Sequence, residues 1–292
     1  MTNGNSAFIG ELQSNQKHKS VKQNRYFKSE AKRTLFASDN FYKAVISHFI
    51  VGIFSGGFLF LTFYVPDLVN IFFSDFLSEK AVTALSLSLN IILTVVFSFF
   101  FFAFFAGAYI LGAKMKDEPD NEPGAPKFAS LSVMLLPLST LKNARRTLVL
   151  YLILAAELAA SVLPSVFVFS FIGRTELSAV SAFFVKLLVV LCSAFACTFF
   201  IMLFAPMPYV LEEDKDAKAS VLYRKSAGAA LCGIWRCYTL LFSFIPLILL
   251  SILTFGVLFY AYALPYMTLS FARAGEYLYY IENPERKKEN ET

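Results

Sequence analysis

Five stretches of the chain run almost without a polar break: 44–65, 82–112, 147–172, 177–207 and 238–267. Each exceeds the roughly 20 apolar residues that carry a helix across a bilayer core. Inside lipid the backbone must satisfy its own hydrogen bonds, which predicts helices over all five. A membrane β-barrel alternates apolar and polar residues, and Phe99-Phe100-Phe101-Phe102 does not. The pattern predicts an all-α, polytopic membrane protein with about five transmembrane helices plus interfacial amphipathic helices. The longest stretches would measure about 45 Å as helices against a hydrocarbon core of about 30 Å, so they must tilt, kink or project. Pro164, Pro206, Pro208, Pro246 and Pro265 supply candidate kinks and stops.

Between these stretches the pattern changes. Residues 1–43 form a cytoplasmic start, with 44–292 as the helical membrane domain. Residues 1–24, rich in Asn, Gln, Ser and Lys, read as disordered. Over 25–37, Phe27, Ala31 and Leu35 recur at helical spacing beside Lys28, Lys32 and Arg33, a basic amphipathic helix suited to an anionic inner leaflet. The segment 117–126, with three prolines and four acids, reads as a mobile turn; Phe128–Leu141 reads as an interfacial segment. In 212–237, acids at Glu212, Glu213, Asp214 and Asp216 suit a helix N-terminus, followed by Leu222, Ala230, Ile234 and Trp235 near one face. Phe271, Ala274, Leu278 and Ile281 repeat the amphipathic theme in the tail.

Charge assigns the sides. Lys and Arg outside the spans number eight in 1–43, one in 66–81, six in 113–146, one in 173–176 and five in 208–237. That alternation is the positive-inside pattern and puts the N-terminus in the cytoplasm of a cell (inner) membrane. The tail 268–292 carries four basic residues: either it tolerates the outside, where five single crossings leave it, or one long segment is broken and six crossings occur. Five is the expectation, because a run of 30 residues does not easily make two full spans. Composition agrees with a membrane protein: 57% of residues are hydrophobic, 16% are charged, and the mean hydropathy is +0.59. A soluble domain is about 25% charged. The net charge of +5 is accounted for by a surface facing anionic lipid and calls for no nucleic-acid partner.

Candidate chemistry is sparse. No His-Glu-x-x-His or Gly-x-Ser-x-Gly pattern occurs, and the two histidines are His18 and His48. Cys192/Cys197 and Cys232/Cys237 are spaced so that the members of each pair diverge on a helix, as packing residues rather than metal ligands. No cofactor is implied. Gly52-x-x-x-Gly56 permits a close helix approach. Of 26 Lys and Arg and 21 Asp and Glu residues, only Glu157 and Lys186 fall within the predicted spans. A charge at mid-membrane costs at least about 2.5–3.5 kcal/mol, so each needs a partner or a task. Three readings stand: Lys186 snorkels and Glu157 stays protonated, the two form a buried pair, or they form a proton- or substrate-coupling site.

The basic helix Lys28–Leu35, the acidic loop and helix Glu212–Trp235 with Arg224-Lys225-Ser226, and the pattern Ser243-Phe244-Ile245, Leu253-Thr254-Phe255-Gly256 and Pro265-Tyr266 together resemble domain-of-unknown-function family 975 of bacterial integral membrane proteins. Pro246 and Leu247 replace a glycine and a tryptophan usual in that family. The resemblance implies membrane location and brings no catalytic residues. The sequence therefore points to a non-enzymatic accessory or structural membrane component that contacts lipids or another membrane protein. The alternative is a transporter or channel component with a coupling site near Glu157 and Lys186.

Overall fold

A computed structural model describes residues 20–74, 76–115, 129–172, 178–214, 216–254 and 256–282. Among them the structure is helical, without strands: α1 (Ser20–Leu35), α2 (Asn40–Phe73), α3 (Glu79–Lys114), a 3₁₀ segment (Leu131–Leu138), α4 (Leu141–Ile172), α5 (Ala179–Met202), α6 (Met207–Glu213), α7 (Ala219–Leu231), α8 (Ile234–Phe242), α9 (Ile245–Leu253), a π-helical turn (Phe259–Ala263) and α10 (Leu264–Glu282). Four described helical stretches are long and apolar enough to cross a membrane: Glu79–Lys114, Leu141–Ile172, Val180–Glu212 and Ile234–Leu253. A shorter apolar stretch, Phe63–Phe73, ends α2. The chain is all-α and polytopic in form.

Three antiparallel hairpins build the bundle. In the first, Phe54 of α2 stacks on Phe104 of α3 at 4.5 Å between ring centroids, and Val65 and Val69 pack on Val82. Pro66 does not end α2, which continues to Phe73, beyond the predicted limit at 65. The second hairpin is α4 with α5, joined by the Ser165 and Ser193 hydroxyls. Only 11% of the apolar stretch of each of these two helices is buried, so most of this arm presents side chains such as Phe167, Phe183 and Leu188 outward.

The third hairpin departs from the sequence expectation. The stretch 238–267 is not one helix. Ser243 and Phe244 separate α8 from α9, which has Pro246 in its first turn, and the chain then reverses at Gly256. Gly256 has a φ of 80°, in the left-handed region that favours glycine. Its N–H donates to Ser251 O at 3.0 Å and closes the end of α9. Phe244 on the way up meets Tyr266 on the way back at 5.3 Å, and Leu240 packs near Ala274 and Tyr277. The reversal returns α10 to the face of the molecule where α1 lies. The tail therefore starts on the N-terminal side, which removes the mismatch that five single crossings leave.

That N-terminal face carries a packed layer of short helices. The apolar side of α1 is not turned to lipid: Phe27, Ala31 and Leu35 are buried against α10, α8 and α3. Its first turn, Ser20–Asn24, is ordered helix rather than disordered chain, with Gln23 donating to Tyr277 Oη at 3.3 Å and Asn24 to Thr239 Oγ1 at 2.9 Å. Residues 1–19, and the predicted turn 117–126, lie outside the described residues. The tail pattern also changes meaning. Ala274 and Leu278 are buried as expected, but Leu269, Ala272, Tyr277 and Tyr279 are buried as well, so α10 is a central helix instead of a surface one. The 3₁₀ segment lies across Gly107 of α3, where an added Cβ would sit 1.9 Å from Met134 O. Its Leu135 and Leu136 still face outward, as an interfacial segment requires.

Proline fixes the end of the second hairpin nearest that layer. Helix α5 stops at Met202 rather than 207, and Pro206 and Pro208 start α6 as a separate helix. The carbonyls left over at this break find side-chain donors. Ser226 Oγ donates to Leu203 O at 2.7 Å. Tyr109 Oη donates to Ala205 O at 2.7 Å. The acids predicted for a helix N-terminus divide instead. Glu212 and Glu213 end α6, and Asp214 and Asp216 lie in the turn before α7. Each described partner is a cation from another turn or helix: Lys114 for Glu212 at 3.3 Å, Lys225 for Asp214 and Lys142 for Asp216. Leu222 and Ala230 are buried on α7 as the pattern requires, while Gly233 breaks the helix and leaves Trp235 72% exposed.

Candidate functional site

The two charges singled out within the spans do not meet. The Ser165–Ser193 contact sets the register of α4 against α5. From that contact Glu157 lies eight residues toward the N-terminal face and Lys186 seven residues away from it. At a rise of about 1.5 Å per residue, this separates them by about 22 Å. A register counted from the connecting turn puts them far closer; the offset between the two helices is what the sequence does not encode. Lys186 is exposed on the far part of the arm.

Glu157 has a different partner. Tyr223 of α7 donates its hydroxyl to Glu157 Oε1, reaching up from the surface layer into the base of the arm. Phe204 packs on the Tyr223 ring at 5.4 Å and orients it. Ser161 Oγ is turned away, donating to the Glu157 backbone carbonyl at 2.8 Å. Glu157 Oε2 is enclosed and has no hydrogen-bond partner among the described residues. One oxygen held and one open is an arrangement that can keep a proton on the carboxyl, or accept one.

A second polar centre lies where α1, α3 and α10 converge. Arg273 of α10, its side chain 11% exposed, approaches Glu30 at 3.6 Å and Glu276 at 3.2 Å. It also donates to Met115 O at 2.7 Å and Thr34 Oγ1 at 3.3 Å. Burial alone would lower the pKa of this guanidinium, but Tyr209, Glu276 and Glu30 outweigh it and the net shift is upward. Burial raises the Glu276 pKa, and Arg273 offsets part of that rise. The centre is an electrostatic clasp between the two ends of the chain. The sequence offers one clue to it, the Arg273/Glu276 spacing on one helix face.

The buried histidine belongs to the same packing. His48 Nδ1 lies 2.7 Å from Ala44 O. A carbonyl only accepts, so that nitrogen carries a proton. His48 Nε2 lies 2.8 Å from Thr268 Oγ1 and ties α2 to α10. Gly52 admits the Tyr260 ring, whose hydroxyl lies 3.1 Å from Ser55 Oγ, whereas Gly56 faces open space. The cysteines are unpaired thiols, and no group of three or more His, Cys, Asp or Glu side chains could hold a metal among the described residues.

No protein-family model, curated protein or solved structure matches the chain.

Proposed function

We propose that the chain is a non-enzymatic accessory or structural component of a bacterial cytoplasmic membrane, with its N-terminus and the α1–α7–α10 layer on the cytoplasmic side. One observation carries this reading: polar side chains in the interior are used to fasten helix to helix, while the α4–α5 arm leaves its apolar length unpacked. Arg273, His48, Ser226, Tyr109 and Tyr209 each bond across elements. The unpacked arm is the surface that lipid or another membrane protein would cover. The positive-inside count supports the orientation, and the resemblance to domain-of-unknown-function family 975 supports the membrane location.

Photo-crosslinking tests the reading directly. A photoreactive residue at Phe167 or Leu188 in the full chain, activated in native membranes, is expected to give a discrete protein adduct. Adducts with lipid alone would leave no place for a protein partner and would reject the accessory role. The enclosed Glu157 Oε2 favours a second reading, a transporter or channel component using Glu157 without Lys186. Proton or solute flux in proteoliposomes that Glu157→Gln abolishes would establish that reading in place of the first.

A further inference from the structure

The inner end of the α4–α5 arm borders an open depression of about 600 Å³ between the first turns of α4 and the turn that leads into α7. Lys142, Arg145 and Arg146 line it from α4, and Lys218 from the opposite wall. The one acid in the lining, Asp216, is already bonded to Lys142. Apart from Ser220 the remaining lining is apolar: Leu141 is 83% exposed, and Val149 faces the hollow one turn further up α4, where the apolar stretch begins.

Helix stability does not explain this arrangement. Lys142, Arg145 and Arg146 occupy i, i+3 and i+4 on one face, the spacing at which like charges repel. They also stand near the N-terminal end of α4, where the helix dipole disfavours cations. Asp216 already offsets part of this at Lys142, and an anion seated beside the exposed Arg145 would lessen both penalties further. Lys142 holds the Asp216 carboxyl below its usual range by hydrogen bond and charge, and Arg146 adds to this, so the acid stays ionised and the hollow keeps a net positive charge. Two further features fit a phosphate. The N-terminus of α7 opens on the depression without a side-chain cap, and Arg145 and Lys218 are exposed on opposite walls.

We propose that this depression binds the phosphate of an anionic phospholipid headgroup, with the acyl chains rising past Val149 along the α4–α5 arm. The shared chemistry is a phosphate ester between guanidinium and ammonium groups. The neighbouring apolar wall, continuous with the exposed arm, selects the lipid over a soluble phosphate. This proposal rests on the membrane reading above, and goes beyond a general attraction to an anionic leaflet by naming one discrete site.

The test uses the full chain in detergent, with native mass spectrometry of lipid adducts in titrations with phosphatidylglycerol, phosphatidylcholine and glycerol phosphate. The unaltered protein is expected to retain phosphatidylglycerol in preference to phosphatidylcholine. Arg145→Gln with Lys218→Gln should weaken that preference about tenfold. Arg25→Gln with Lys32→Gln removes the same charge from the exposed side of α1 and should leave it unchanged. Both pairs are exposed, so neither is expected to disturb folding. Equal losses in the two double variants, or no loss in the first, would overturn the discrete site. Displacement of the lipid by glycerol phosphate at equal concentration would overturn the lipid assignment. If the protein needs detergent yet shows no preference for the anionic lipid, the site alone fails; if it stays soluble without detergent, the membrane reading fails with it.

Discussion

Replacing Arg273 by methionine keeps most of the side-chain volume and removes the charge that joins α10 to α1 and α3. The guanidinium is nearly enclosed and has four partners: Glu30, Glu276, Thr34 and the Met115 carbonyl. Methionine leaves two carboxylates facing each other in a poorly solvated site and strips a buried carbonyl of its donor. Removing one side of a buried ion pair costs about 3–5 kcal/mol. Glu276 is 36% exposed and recovers some solvation. The lower end of that range therefore applies, about 3 kcal/mol.

The measurement is equilibrium unfolding in mixed micelles, run as a double-mutant cycle with Glu30→Gln. In the native background Glu30→Gln removes a partner of Arg273 and destabilises the protein. In the Arg273→Met background the same change relieves an uncompensated charge and should be neutral or stabilising. A loss below about 1 kcal/mol for Arg273→Met, or an unchanged cost of Glu30→Gln in both backgrounds, would refute the clasp, since coupled neighbours differ by at least about 0.5 kcal/mol.

Other expectations concern neighbouring features. Gly107→Ala places a methyl 1.9 Å from Met134 O, where backbone and not a flexible side chain must give way. It should cost at least about 1–3 kcal/mol in thermal unfolding; an unshifted Tm would contradict the close packing of the 3₁₀ segment. Gly275→Ala, with its methyl 2.3 Å from Ala205 O, should act the same way at the α5–α6 break. Tyr223→Phe takes the hydrogen-bond donor from Glu157. It should destabilise by about 1–3 kcal/mol, whereas Glu157→Gln retains an acceptor and should cost less; equal losses would argue against the pairing. For pH, the folded Glu276 pKa lies above its unfolded value of 4.5, so its contribution favours the fold most below 4.5 and is lost as pH rises through the folded value. Glu276→Gln should flatten that slope in unfolding curves. Tags at the two termini should be protected or digested together in sealed vesicles, since α1 and α10 share one face.

How much of this was legible in the sequence depends on the distance over which each feature is determined. The spans in α3, α4 and α5 were legible because lipid demands long apolar runs whatever their neighbours do. Leu222 and Ala230 were legible because burial on one side of a helix repeats locally. Pro206 and Pro208 marked a break as proline should, yet Pro66 lies inside an unbroken α2. Neighbouring packing thus decides whether proline ends a helix or is carried within it. The Thr254-Phe255-Gly256 step held a signal for the reversal, since glycine after an apolar helix is a common stop. Segment length outweighed it: the run 238–267 reads as one long span, although α8 and α9 on one leg and α10 on the other extend well beyond the apolar run.

Pairings were the illegible part, for a physical reason. Glu157 and Tyr223 stand 66 positions apart and Arg273 and Glu30 far further, so no local period connects them. A carboxyl in an apolar span announces only that it needs a partner. The nearest intramembrane cation in sequence, Lys186, is the natural choice, but helices that slide by a few residues move side chains by about 1.5 Å for each residue of offset. The same reasoning separates the two kinds of basic residue on the N-terminal face. Arg273 is enclosed with its counter-charges, and its role is complete within the chain. Arg145 and Lys218 stand on opposite walls of a hollow that also holds Lys142 and Arg146, and its one acid is bonded to Lys142. A positive-inside bias would account for cations on this face; it would not account for four of them lining one depression beside the exposed foot of an apolar arm. That coincidence of charge and greasy surface is what an anionic lipid would satisfy.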